Sequence, residues 1–425
     1  MSLKSESLAV YDFGLFISFA TRLSRDFGKV GYFCPHENSF SDGRELIVGL
    51  GLPNIERITK WDDVVDSYSC LAFPDVLCAD LQEYYRLQGR RVWGSGPGAD
   101  LELKRWETKH RLKELDIPVN ECYRIKGTAA LRQFFIDHPS EDGWYVKISG
   151  LRGLGETWHA RNYAEARGQI DELDFKHAPL SYAIHFILEA SIPDAKEIGY
   201  DGYCIGGKFP SSSLWGIEDK DKCYFGMVSD YDDLPEGVRT VNDALSKIIS
   251  ESFPTYAQFL STEIREQDGK PFPIDFTCRH ASPAGECVCE NMENLAEVIW
   301  SGAEGKLVEP EWRHKYCAQI IFCSETATER AVMLDFPEED RQWVKLYNHC
   351  RMDDEGEIGM ADYFIPQVAP MKQLGSVVAL GDDPDETIAL CKERAESVTG
   401  FDLERESDSL DKTAADVLKL GESES

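Results

Sequence analysis

The strongest constraint on the fold is an alternation near the start of the chain. Leu8-Ala-Val-Tyr-Asp12-Phe-Gly14 reads as a buried strand ending in a turn. Residues 15–27 then place Phe16, Phe19, Ala20, Leu23 and Phe27 at helical spacing. Val30-Gly-Tyr-Phe-Cys34 is a second strand, stopped by Pro35. Cys70 to Cys78 is a third apolar segment, followed by a helix from Asp80 to Gln88. Short, uninterrupted apolar runs separated by helices require a sheet covered on both faces, hence parallel strands with helical crossovers. Val92-Trp93 then enters Gly94-Ser-Gly-Pro-Gly98, which lacks the Gly-Lys-Ser/Thr ending of a nucleotide loop and reads as a turn between domains.

Beyond that turn the pattern changes. Residues 99–115 form a charged helix that stops at Asp116-Ile-Pro118, where proline breaks it. Trp144-Tyr-Val-Lys147-Ile is a strand, and a helix runs from Tyr163 to Leu173. Ile184–Glu189, Gly199–Ile205, Phe259–Arg265 and Pro271–Cys278 are further strands, the last two joined at Asp268-Gly269. The alternation restarts at 311, and residues 404–425, rich in Ser, Glu and Asp, read as a partly ordered acidic tail.

Composition narrows the function. With 45 basic against 76 acidic residues, a net charge of −31, an extended nucleic-acid surface or a docking face for anionic lipid is disfavoured. No apolar run reaches the ~20 residues of a membrane span, and Met1 to Leu8 lacks the apolar core of a signal peptide. The thirteen cysteines contain no CxxC pair and read as reduced, buried thiols. The expectation is a cytoplasmic protein, monomer or homodimer, acting on small molecules.

Three pieces carry chemistry, and each has a bland alternative. Lys147 ends a strand just before a loop with Gly150, Gly153 and Gly155, which can close over phosphates; lysine before glycines is also common in ordinary strands. Glu189, Ile192 and Glu197 lie around a strand end, where unpaired backbone can meet a base and a carboxylate can hold ribose hydroxyls; a solvated strand end looks the same. Glu263 and Asp275 fall on partner strands of a hairpin with Thr277 and Arg279 farther along one face. Two carboxylates and a hydroxyl suit Mg2+ (or Mn2+), though most charged hairpins are simply surface hairpins.

The order of these pieces resembles the ATP-grasp superfamily, and within it the phosphoribosylamine–glycine ligases, including divergent phage-encoded members. The resemblance spans about Leu8 to Phe401. It implies an α/β chain with α+β lobes. Residues 1–98 would form a Rossmann-like domain, and 99–310 the ATP-grasp domain with its lid at about 120–190. Residues 311–403 would form a small C-terminal domain, with 404–425 as the tail. It implies ATP and Mg2+ as cofactors. Lys147 and Arg105 (with Lys104 beside it) would meet nucleotide phosphates under a lid at 149–157 that includes Gly153 and Gly155. Glu189 and Ile192 would meet adenine, and Glu197 ribose. Glu263, Asp275 and Thr277 would hold metal, and Arg279 would face the transferring phosphate. Asp201, Lys220 and Lys222 fall where the relatives bind their acceptor.

Two departures from the family pattern stand out. The metal pair Glu-x-Asn is here Asp275-x-Thr277, and the first strand ends Asp12-Phe-Gly-Leu-Phe without a glycine-rich phosphate loop. The implied reaction is ATP-dependent joining of a carboxylate to an amine through an acyl phosphate; the substrate pair stays open, an amino acid with an amine or with a nucleotide-derived amine, and the missing loop argues against phosphoribosylamine itself. The rival is a degenerate ATP-binding scaffold or regulatory protein without turnover.

Overall fold

The amino-terminal alternation closes into a five-stranded parallel sheet. In the computed structural model, which describes residues 2–35, 47–149, 157–193, 195–351, 363–366 and 371–424, its order is Glu56–Ile58, Lys29–Phe33, Ser7–Tyr11, Cys70–Ala72, Arg91–Trp93. Every neighbouring pair is parallel. The first strand is central, which is why Leu8, Ala9 and Val10 are all fully buried. The strand order reverses between Ser7–Tyr11 and Cys70–Ala72, the switch point of a Rossmann-like sheet.

A second layer is a four-stranded antiparallel sheet in the order Cys122–Lys126, His185–Ala190, Trp144–Ile148, Thr157–Ala160. Helices Thr128–Asp137 and Tyr163–His177 cover it with Leu131, Phe135, Ile170 and Leu173, forming a core of its own with Val146 and Leu188. His185–Ala190 is paired on both sides, so the expected unpaired edge is absent from this strand.

The third and largest sheet has nine strands among the described residues. Its antiparallel path runs Lys270–Thr277, Ala257–Gln267, Lys196–Ile205, Ser212–Asp219, Cys223–Asp230, Tyr316–Cys323, Gln373–Gly381, with Val344–Leu346 at the far end. Strands from both sides of residue 310 therefore share one sheet and one core.

Two local differences from the sequence reading have physical causes. The charged helix of 99–115 is two pieces, Asp100–Leu103 and Arg105–Glu114, broken at Lys104, whose φ of −108° and ψ of 58° are not helical. The break leaves Lys104 outside, paired with Asp100 at 2.8 Å, while Glu102 and Arg105 are buried. The acidic tail contains a helix, Ser409–Glu424, packed on strands Ser212–Asp219 and Cys223–Asp230. Leu410, Ala414, Val417 and Leu420 form its buried stripe at helical spacing, and the surrounding acidic residues mask that stripe in a composition count.

Candidate active site

The site begins with a hairpin. Asp268 and Gly269 both take positive φ, 53° and 67°, the conformation that matches the twist of a two-residue hairpin turn. The turn sets the register that places Glu263 opposite Asp275 and Ser261 opposite Thr277. Pro271 and Pro273 are tolerated because Lys270–Thr277 is the edge strand. The register shifts just beyond Asp275, leaving Ile274 as the extra residue.

Lys147, from the four-stranded sheet, reaches that irregularity. Its Nζ donates to the Ile274 carbonyl and stands 3.8 Å from Asp275 Oδ2 and 3.9 Å from Glu189 Oε1. Burial alone would favour a neutral amine, but Asp275 and Glu189 outweigh it and raise the Lys147 pKa, so the ammonium persists. Arg105 Nε approaches the same carboxylate at 3.5 Å. Burial pushes Asp275 up, but Lys147, Arg105 and the Phe276 N–H overcome this and hold it below the usual range. Glu263 moves the other way: burial, then the charges of Asp275 and Glu197, push it well up.

Several ions that support this arrangement look like ordinary surface charges in the sequence. Lys109 is buried and bonds Glu189 Oε2 at 3.0 Å, Asn120 Oδ1 at 2.9 Å and the Pro273 carbonyl at 2.9 Å, tying three elements together. Its one signal was its place four residues after Arg105, on the same helical face. Glu102, also buried, accepts from Arg279 Nε at 3.0 Å and from the Cys278 N–H at 2.8 Å. Arg265 donates to Glu197 Oε2 at 2.7 and 3.0 Å and lies 6.0 Å from the Tyr145 ring.

All this surrounds one cavity of about 720 Å³. Lys147, Glu189, Ile192, Glu197, Asp201, Lys220, Glu263, Asp275, Thr277 and Arg279 line it. Arg105 adjoins it through Asp275. Lys222 does not line it; that side chain lies 3.4 Å from Asp219 and 3.6 Å from Glu406, at the turn of its hairpin. Gly153 and Gly155, with the rest of 150–156, lie outside the described residues. Glu218 and Ser282 also line the cavity, as do Tyr347 and Gln373, which sequence reasoning did not single out. Asp201 accepts from Ser261 Oγ at 2.6 Å and the Tyr224 hydroxyl at 2.7 Å, yet burial still raises it to about 6.

The donor set fits a divalent cation bound partly by nucleotide phosphates. Among the described residues no group of three or more His, Cys, Asp or Glu could hold an ion alone. Glu263 and Asp275, with the Thr277 hydroxyl beside them, are the few hard oxygens that Mg2+ takes from protein when phosphates and waters supply the rest. Burial first, and then the charges of Asp275 and Glu197, push Glu263 up, and a cation placed here would favour its ionised form.

No family model matches the sequence, and no curated protein matches it. Solved structures do match over almost the whole chain. Phosphoribosylamine–glycine ligase from Thermotoga maritima aligns over 95% of this chain and 99% of its own, with a TM-score of 0.69 at 14% identity. The chain has the ATP-grasp fold. The biotin carboxylase domain of a 2-oxoglutarate carboxylase from Hydrogenobacter thermophilus covers 94% of this chain and 91% of its own, with a TM-score of 0.61 at 10% identity. It was solved with MgADP, ADP and bicarbonate. L-amino acid ligase from Bacillus licheniformis covers 94% and 99%, with a TM-score of 0.56 at 15% identity. In the ATP-grasp arrangement seen here the four-stranded lobe and the large sheet face each other, and the cavity is lined from both. No helix among the described residues is long and apolar enough to cross a membrane.

Proposed function

We propose that this protein is an ATP-dependent ligase that joins a carboxylate to an amine. The observation that carries this reading is convergence. Lys147 from one sheet, and Glu263, Asp275, Thr277 and Arg279 from a hairpin of another, line one cavity. Phosphoryl transfer asks mainly for positioning and charge neutralisation, and this is that inventory.

In the proposed reaction, the substrate carboxylate attacks the γ-phosphorus of ATP. The bond to the bridging oxygen breaks and ADP leaves, giving an acyl phosphate. The amine then attacks the acyl carbon, loses a proton, and expels phosphate. Lys147 would neutralise the nucleotide phosphates, and Arg279, held by Glu102, would face the transferring group. Ile192 and Glu189 would border the base, and Glu197, steadied by Arg265, the ribose. Asp201 and Lys220 would border the acceptor. Glu263, Asp275 and Thr277 would hold Mg2+, which when bound supplies positive charge to the phosphates. The arrangement of each of these side chains requires no covalent nucleophile on the protein.

The test is ADP release from Mg-ATP with pooled amino acids and amines, comparing wild type with Lys147→Ala. ADP that depends on the pool and vanishes in the variant is the expected result. ATP binding with no ADP from any mixture would instead leave a nucleotide-binding scaffold, and ADP release indifferent to the substitution would misplace the nucleotide.

A further inference from the structure

We propose that a second cavity, between helix Ile17–Leu23 and strand Val344–Leu346, binds a small organic anion, with its charged head at Arg25 and Lys345 and its apolar body on Leu52, Phe336 and Leu346. The site is independent of the ligase reading above.

This cavity measures about 320 Å³ and shares no described lining residue with the cavity of about 720 Å³. One strand divides them: Lys345 and Leu346 line the smaller, and the next residue, Tyr347, lines the larger. The volume falls at the lower end of small-molecule sites and exceeds what a bare inorganic ion fills.

A helix packed against a strand ordinarily turns an apolar face to it. Here Ser18 and Thr21, one turn apart on the helix, line the cavity, and Arg25 follows just past the helix end. Ser18 and Tyr363 are both buried, and neither hydroxyl has a hydrogen-bond partner among the described residues. Both residues line this cavity. A buried hydroxyl left alone is unfavourable, and a ligand that supplies an acceptor relieves it.

The charges are unbalanced in the same place. Buried Glu290 accepts from Arg25 at 2.7 and 3.0 Å and from Lys345 Nζ, so these two cations share one carboxylate. Arg22 stands 4.0 Å from it as well, but is met by Asp26 at 2.6 Å and by the Cys289 and Met292 carbonyls. Burial favours a neutral amine at Lys345 and Glu290 opposes this; a second anion would reinforce Glu290. The carboxylates that line the cavity, Glu338 and Glu339, are exposed, and Glu338 pairs with Arg341 at 3.0 Å. Phe336 stacks on Tyr363 with ring centres 4.8 Å apart, and Leu52, Val344 and Leu346 add aliphatic surface. Shared cations beside an apolar wall select an anion with a hydrocarbon body over a bare ion or a cation.

Fluorine NMR titrations of the full chain with para-fluorobenzoate and para-fluorophenyl phosphate test this, with para-fluorobenzyl alcohol as the neutral control. At least one anion is expected to bind wild type with a Kd under about 1 mM, and about 10-fold tighter than the alcohol, the scale of one charge-assisted contact. Binding of the benzoate alone, the phenyl phosphate alone or both assigns the head as carboxylate, phosphate or either, and each supports the proposal. Arg25→Gln removes one cation and leaves Lys345 on Glu290. Ser18→Leu fills the cavity, and serves if Arg25→Gln does not fold. Each should weaken the anion about 10-fold, while Lys147→Ala, in the other cavity, should not change it. No saturable anion binding, equal binding of the alcohol, or an affinity unchanged in both Arg25→Gln and Ser18→Leu overturns the proposal. Loss of binding in Lys147→Ala overturns it too, by placing the anion in the larger cavity. None of these readouts uses ADP release, so the ligase reading stands or falls separately.

Discussion

Glu263 and Asp275 are register partners on neighbouring strands, yet their carboxyls are driven in opposite directions. The asymmetry comes from where the cations stand. Lys147 and Arg105 approach Asp275 at 3.8 and 3.5 Å, while burial and the charges of Asp275 and Glu197 act on Glu263. Asp275 is ionised and paired with cations of the protein, while Glu263 keeps its proton at neutral pH and would lose it to a bound cation.

Glu263→Gln should therefore weaken the use of a divalent ion more than it weakens the fold. The Mg2+ concentration for half-maximal ADP release is expected to rise roughly 10- to 100-fold, the scale seen when a carboxylate supporting a metal site is lost. Thermal stability should hold, because a carboxyl pushed up to about 8 is largely protonated at neutral pH and glutamine replaces it with a neutral group of the same shape. A magnesium titration beside a melting curve checks both, and an unchanged Mg2+ requirement would place the metal elsewhere.

The Lys109–Glu189 pair predicts a stability effect. Removing one partner of a buried ion pair leaves an unpaired charge and costs about 3–5 kcal/mol. Lys109→Met should lose about that much in denaturant unfolding. Lys109→Met with Glu189→Gln should lose less than the two single changes together, by roughly 0.5–3 kcal/mol. Additive losses would mean that the 3.0 Å contact contributes nothing of its own.

How much of this was legible follows from which signals are local. The parallel sheet showed because its strands are continuous apolar runs, and the Glu263–Asp275 hairpin showed because Asp268-Gly269 fixes the turn. Lys109 and Glu102 did not show, since a lysine or glutamate on a charged helix reads as solvated until the tertiary structure buries it. Nothing local distinguished Lys220, which lines the cavity, from Lys222, which does not. Asp12 was visible as a departure from a glycine-rich loop, but the Gly14 N–H, Phe16 N–H and Tyr32 hydroxyl that it accepts from come together only in the folded chain.

The terminal helix predicts that the end of the chain contributes to the stability of the large sheet. Leu410 is fully buried where Ser409–Glu424 crosses the outer strands. Leu410→Ala should cost about 2–5 kcal/mol, as large-to-small core changes do. An exposed leucine would cost almost nothing, so the shift in denaturant midpoint separates a docked helix from a solvated tail.

The last prediction concerns acid. His280 is buried and neutral: its Nδ1–H donates to the Ala281 carbonyl at 2.9 Å, and its Nε2 lies 3.4 Å from Cys289 Sγ. Burial pushes its pKa down to about 3. The unfolded chain protonates this imidazole near pH ~6.5. Between these values the unfolded state binds more protons, so the His280 contribution is fully present above pH ~6.5 and is lost as pH falls. By pH ~5 the loss is about 2 kcal/mol. His349, pushed down to about 4, acts in the same direction. Asp201 and Glu286, raised to about 6 and about 7, hold protons in the fold and oppose it, so the raw pH profile mixes both signs. Comparing wild type with His280→Gln cancels the shared terms. The stability gap between them should shrink by about 2 kcal/mol between pH ~7.5 and pH ~5. A gap constant across that range would mean that the native state takes up the proton as readily as the unfolded chain.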